Sequence, residues 1–250
     1  MKLITVNMEG VLHIERIIAL IKREQPDCIC LQEMPTVFIY NLILLGYYPT
    51  FSPMFRDAHR TSTNEALGIC IATRTPHDAT IHNYGGTQTG IPIYERRPDD
   101  SAKSFQLITA TFSDDTNNTY TIATTHLMVT ATGVSSEPQQ AAVDRLLEYL
   151  SSYPPHIFCG DFNMPRGYNT NYERFLEQYG DAVPTHYASS LDRNLHRSGH
   201  SMELGAPIFD IYMVDYIFTQ PPYVASDVRL EFGVSDHAAV IATIAVQSKS

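Results

Sequence analysis

The sequence predicts an α+β fold, with sheets packed inside and helices outside, and three observations carry that expectation. Segments of strand period and helix period are mixed along the chain. Two strand candidates, 104–112 and 119–128, are joined by the polar turn SDDTNN, a hairpin that a purely alternating parallel wind would not contain. The 250 residues, 44% of them hydrophobic, suffice for one large core and show no linker-like break or repeat. Residues 1–250 are therefore expected to form a single domain.

The elements follow in order. KLITVN alternates and is β-rich, a first strand. Over 13–24, Ile14, Ile17, Ile18 and Ile21 share one helical face opposite charged residues, and Pro26 closes the helix. CICLQE reads as a short buried strand, and a helix over 35–45 ends at Gly46. Strands are expected at 67–72, 104–112 and 119–128, and a helix over 137–151 through Val143, Leu146, Leu147 and Leu150. A strand at 156–162 and a helix at 171–179, stopped by Gly180, come next. A polar stretch from 181 to 205 leads to strands at 215–219, 227–232 and 238–246.

Composition narrows the function. No apolar run reaches the ~18 residues of a membrane span, and MKLITVNMEG lacks the regions of a secretory signal. Cys28, Cys30, Cys70 and Cys159 sit in apolar stretches, as buried thiols of a reducing compartment do. A cytoplasmic location is expected. The net charge of −10 argues against a broad basic cradle for long duplex nucleic acid, though not against a local basic patch.

Chemistry-bearing residues recur at strand margins. IFCGDFNMP begins as a core strand and then places Asp161 and Asn163 two residues apart, on one face if the strand continues. Asn7 and Glu9 end the first strand at the same spacing. Glu33 ends the second, His126 ends another, Asp215 opens one, and Asp236 and His237 precede the last. Any one of these has an ordinary reading. Asp161 and Asn163 would cap a turn before Pro165, His126 would be a satisfied core histidine, and Glu9 would face solvent. Together they point elsewhere, because strand ends of a sheet gather on one rim. Clustered carboxylates need a cation, and oxygen ligands without paired cysteines favour Mg²⁺, or Mn²⁺. Histidines beside such an ion stabilise charge or move protons, which describes metal-assisted hydrolysis of a phosphate ester.

In order, VNMEG, CLQEM, TTHL, GDFNMP, VDYIF and SDH resemble the signature blocks of the endonuclease/exonuclease/phosphatase superfamily, over residues 7–237. The resemblance implies a four-layer α/β sandwich of the DNase I type, two central, mainly antiparallel sheets flanked by helices, commonly monomeric. It implies Glu33 as principal metal ligand, supported by Asn7, Glu9 and Asp236. Asp161 would position or deprotonate the attacking water, and Asn163 would grip the phosphate. His126 and His237 would bind the phosphoryl oxygens, and Asp215 would fix the tautomer of His237. Asp161 and the Asp215–His237 pair both remain open as the base, with Asp161 preferred. Many members carry aspartate where this chain has Glu9.

The catalytic core does not name the substrate. VNMEG resembles the first block of abasic-site endonucleases and 5′-tyrosyl-DNA phosphodiesterases, which favours a nuclease or an enzyme acting on single-stranded or terminal nucleic acid. The alternatives are a small-molecule or lipid-headgroup phosphoesterase and a catalytically silent binding module. The stretch 181–205 enters the VDYIF strand, so Arg193 and Arg197, with His186, His196 and His200 nearby, are expected to border the substrate. Arg74, Arg96 and Arg97 read as surface arginines, and Tyr94 as a candidate to stack on a base.

Overall fold

The computed structural model describes residues 1–57, 65–94, 103–196 and 208–247. The first sheet takes β1 (Lys2–Asn7), β2 (Cys28–Pro35), β3 (Tyr48–Arg56), β4 (Ala66–Thr73), β11 (Tyr223–Glu231) and β12 (Ala239–Val246). The second takes β5 (Asp78–Gly86), β6 (Ser104–Ser113), β7 (Thr119–His126), β8 (Ile157–Asp161), β9 (Gly180–Asp181) and β10 (Asp215–Thr219). Their strand orders are β11-β12-β1-β2-β4-β3 and β5-β6-β7-β8-β10-β9. Only β1–β2 and β7–β8 pair in parallel among the described strands. Each sheet thus carries one parallel pair near its middle, and β1 and β2 lie against β7 and β8.

The alternation of side chains explains the layers. Ile4, Val6, Met8, Ile29 and Leu31 pack on Ile17, Leu20 and Ile21 of α1 (Ile14–Glu24) and Phe38 and Leu42 of α2 (Phe38–Leu44). Leu3, Cys28 and Cys30 face the other way, into the core shared with Ile122, Ile157 and Cys159. Behind the second sheet, α3 (Glu137–Ser151) brings Val143, Leu146 and Leu150. Phe175 of α4 (Thr170–Leu176) stacks on Phe218, with ring centroids 5.8 Å apart. A short α5 (Ile208–Ile211) precedes β10. Among the described residues no helix is long and apolar enough to cross a membrane.

Several expected boundaries move. β3, β5 and β9 were not anticipated. Pro49 and Pro53 lie within β3, which tolerates them as the edge strand of its sheet. β5 is an edge too, and its first four residues are exposed, so its apolar signal is weak. Pro35 belongs to β2 and the following helix starts only at Phe38. Gly180, expected as a helix stop, lies in β9, and α4 ends at Leu176. β11 begins at Tyr223, ahead of the expected 227, and an irregularity interrupts its register between Ser226 and Arg229.

The last turn of α1 is tied to β1 and β11, the strands on either side of β12. Glu24 accepts from Lys2 Nζ (3.2 Å), Arg23 Nε (3.3 Å) and Arg229 Nη2 (2.8 Å). Burial pushes its carboxyl up, but hydrogen bonds from Arg229 and Lys2 outweigh burial and hold it at about 2, against 4.5 ordinarily. A depressed carboxyl stabilises the fold above its unfolded value and loses that contribution as pH falls toward the folded value. Glu24→Gln should therefore unfold at lower urea than wild type at neutral pH, and the gap should close between pH 4.5 and about 2. A gap that persists at pH 2 would show that its charge is not what matters.

Candidate active site

Register alone assembles the centre of the site. Asp161 on β8 stands opposite His126 on β7 and opposite Asp215 on β10. Paired residues in neighbouring strands project to one face roughly 5 Å apart. A row His126–Asp161–Asp215 therefore runs across the rim, with all three side chains buried. Gly160 makes the approach of β7 and β8 feasible. Its φ is +146°, and a Cβ there would stand 2.1 Å from the Thr125 carbonyl oxygen.

The two i, i+2 pairs do not work by strand alternation, as the sequence suggested. β1 stops at Asn7 and β8 at Asp161, and Glu9 and Asn163 take left-handed backbone, with φ of 52° and 49°. Each pair is instead one turn. Asn7 Oδ1 accepts from Glu9 N at 3.1 Å, and Asp161 Oδ1 accepts from Asn163 N at 3.0 Å. Turn capping and site building are thus the same feature. Asn163 Nδ2 also donates to the Leu127 carbonyl at 2.9 Å, leaving its second N–H.

The first sheet supplies the opposite wall. Asn7 Nδ2 donates across the gap to Asp161 Oδ2 at 3.0 Å. Glu33 also has left-handed backbone, φ 49°, in a bulge where β2 shifts register against β4. Backbone bonds from Met8 N to Gln32 O and Gly10 N to Glu33 O bind its turn to that of Glu9. Glu9 is buried, not solvent-facing, and its Oε2 lies 3.2 Å from His13 Nε2.

At the far end of the row, His237 Nδ1 lies 2.8 Å from Asp215 Oδ2, and His237 Nε2 lies 3.9 Å from Asp161 Oδ2. Ser190 Oγ donates to the same Asp215 oxygen at 2.6 Å and accepts from the amides of Val214 and Asp215. Segment 190–192 lies along 236–238. Leu191 bridges His237, Ala238 N donates to Ser190 O, and Asp192 N donates to Asp236 O. Ser190, Asp192 and His13 are residues the sequence reading missed. They lie in irregular segments, where spacing carries no face information.

Charge follows from this packing. Burial pushes His126 down to about 4, only partly opposed by Asp161, so it is neutral near pH 7. Burial also disfavours charge on His237, but Asp215 and Asp161 outweigh it and hold the imidazole well above its ordinary value. Burial and Asp215 push Asp161 up against the pull of both histidines. Asp161, Asp215 and His237 each offer a ligand atom within 4.8 Å of the others. Glu9, Glu33 and Asp236 are buried at the same rim, and among the described residues Asp215 Oδ1 has no hydrogen-bond partner; these carboxylate oxygens fit a hard divalent cation. Arg193 is exposed and pairs with Asp210 at 3.4 Å, while Arg197, Arg96, Arg97 and His200 lie outside the described residues. Tyr94 packs on Phe55, with Lys103 Nζ 5.3 Å from its ring centroid.

Two mixed six-stranded sheets with flanking helices and this rim define a DNase I-like α/β sandwich. The chain belongs to the Endonuclease/Exonuclease/phosphatase family, whose sequence profile matches residues 4–237. Members are phosphoesterase hydrolases, typically dependent on a divalent metal. No curated protein sequence matches the chain. Solved structures do. An endonuclease/exonuclease/phosphatase from Beutenbergia cavernae superposes with a TM-score of 0.72 at 18% identity, over 99% of this chain and 72% of that one. The catalytic domain of human Nocturnin with bound sulfate gives 0.68 at 18% identity, over 99% and 93%. D. rerio TDP2 complexed with a single-strand DNA product gives 0.67 at 15%, over 98% and 99%.

Two outcomes test this geometry. Gly160→Ala should lower stability by about 3 kcal/mol or more in urea denaturation, since backbone would have to move. Gly167→Ala, with φ +69° and nothing within 4 Å of its added Cβ, should lose only about 1 kcal/mol. In the metal-free protein, Asp215→Asn removes the charge that sustains the His237 imidazolium. NMR titration should then show the His237 pKa falling below its wild-type value, and an unchanged value would break the assigned pair.

Proposed function

We propose that this chain is a divalent-metal-dependent phosphodiesterase acting on single-stranded or terminal nucleic acid, working as a single-domain monomer. The observation that carries the reading is the convergence of Asn7, His126 and His237 on one oxygen of Asp161, 3.0, 3.5 and 3.9 Å away. A raised carboxylate held in place by an amide suits a proton acceptor. Asp161 orients the attacking water and takes its proton. His237 is paired with Asp215 through Nδ1, and its Nε2 donates to a phosphoryl oxygen. Neutral His126 and the second N–H of Asn163 donate to the other phosphoryl oxygens.

Glu33, supported by Asn7, Glu9 and Asp236, would hold Mg²⁺ or Mn²⁺. The bound ion would supply charge neutralisation at the phosphoryl oxygens and offset the repulsion among the carboxylates. The preference for ends or single strands follows from charge. A chain of net charge −10 suits a substrate that needs few phosphate contacts. The fold likeness to a TDP2 whose structure holds a single-strand DNA product points the same way.

The test is cleavage of end-labelled single-stranded DNA, RNA, abasic duplex and a 5′-phosphotyrosyl end, with and without Mg²⁺ or Mn²⁺. One member should be cut in the presence of metal. Asp161→Asn and Glu33→Ala should each lower the rate about 100-fold or more while circular dichroism stays that of the wild type. Wild-type rates in both folded variants would refute the site. Hydrolysis of a generic phosphodiester with none of the panel cut would move the substrate to small molecules.

A further inference from the structure

His196 stands beside the row and has no part in the chemistry above. The row runs across the second sheet from β7 through β8 to β10, and segment 190–192 follows at its end, where Ser190 grips Asp215. The chain then makes a tight turn that Asp192 organises. The Asp192 carboxylate accepts from Asn194 N at 2.9 Å, Leu195 N at 3.2 Å and Gly233 N at 2.6 Å, and its carbonyl accepts from His196 N at 2.8 Å. Asp192 N donates in turn to Asp236 O. The turn carrying His196 is therefore fastened to the same loop that carries Asp236 and His237. Its position relative to His237 is set by backbone bonds.

The spacing of the two rings has a chemical meaning. Their centroids lie 6.5 Å apart, with planes inclined at 57°. That is wider than stacked rings in contact. An imidazole nitrogen lies roughly 1.1 Å from its ring centroid and an N–H···O bond spans about 2.8 Å, so one oxygen shared by two rings sets the centroids at most about 7.8 Å apart. The observed separation falls inside that limit, so the two rings reach the oxygens of one phosphate group. His237 has committed Nδ1 to Asp215, which leaves Nε2 for a phosphoryl oxygen and the neighbouring ester oxygen of the same phosphate for His196.

Resting on the phosphodiesterase reading, we propose that His196 is a catalytic residue that donates a ring N–H to the departing oxygen of the scissile phosphodiester. The water attacks from the Asp161 side, and in-line displacement places the leaving oxygen across phosphorus from it. As the P–O bond breaks, its electron pair passes to that oxygen. The hydrogen bond from His196 stabilises the alkoxide until it takes up a proton from solvent, while the proton of the attacking water goes to Asp161. An alkoxide of a nucleoside is a poor leaving group and needs this donor. A phenolate activated by a nitro group hardly does.

The experiment compares two diesters in Mg²⁺ buffer, a dithymidine dinucleotide and thymidine 5′-(p-nitrophenyl phosphate), for wild type, His196→Phe and His196→Gln. Phe keeps a ring in place without the donor, and Gln restores an N–H. His196→Phe should lower kcat on the dinucleotide about 100-fold with KM within about threefold, and lower nitrophenolate release less than about threefold. His196→Gln should recover at least about tenfold of the lost dinucleotide rate. Equal losses on both substrates, or no loss on either, would show a packing role and overturn the proposal. A wild type that hydrolyses neither diester would overturn the phosphodiesterase reading and this inference with it.

Discussion

The hydrogen bond from Asn7 Nδ2 to Asp161 Oδ2 is the constraint on which the rest of the site depends. It is the point where the two sheets meet at the rim, 154 residues apart in sequence and 3.0 Å apart in space. Below it the sheets are joined by a buried polar row. Gln32 Nε2 donates to Thr5 Oγ1 and Thr124 Oγ1, and Thr124 Oγ1 donates to the Cys159 carbonyl. A buried polar group left unpaired costs about 1–3 kcal/mol, so these bonds are satisfied in only one registration of sheet on sheet. A slip of either sheet would break them together. Apolar packing makes the sandwich, and the polar row sets the alignment that brings Asn7 onto Asp161.

That alignment lets a rigid core hold a charged site. His126, Asp161 and Asp215 are fixed by strand register, while Asn163, Glu9 and Glu33 are fixed by left-handed turns and a bulge just past the strand ends. Such backbone is uncommon for residues with a Cβ and persists where surrounding bonds over-determine it. Here the amides of Glu9 and Asn163 are held by the side chains of Asn7 and Asp161. The turns re-aim side chains that a continuing strand would send elsewhere. Preorganisation of this kind lets a site meet developing charge without reorganising.

Much of this was legible in the residues, and the division has a physical basis. The residues at strand ends could be found because the apolar period stops where they begin, and the fold collects such ends on one rim. The helix over 137–151 was readable to the residue, since Ser136 caps it and its apolar face is regular. β3 and β5 were hidden because edge strands bury little and tolerate proline. The left-handed turns were hidden because an i, i+2 pair reads the same whether the strand continues or turns. Ser190 and Asp192 act through backbone contacts to 214, 215, 233 and 236, and no periodicity marks a residue whose partners lie in other loops.

The distribution of charge ties the site to the acidic chain that carries it. A duplex-binding surface would need many phosphate contacts from lysine and arginine, and this chain has 17 such residues against 27 acids. Arg193, the one described arginine expected to border the substrate, is exposed and paired with Asp210. Positive charge at the rim comes from Lys103, which acts on His126, and from the His237 imidazole, whose pKa Asp215 and Asp161 hold well above its ordinary value. The charge on His237 is conditional on its neighbours and is confined to one point of the rim. Among the described residues, the Asp192 turn is anchored to the loop that carries Asp236 and His237.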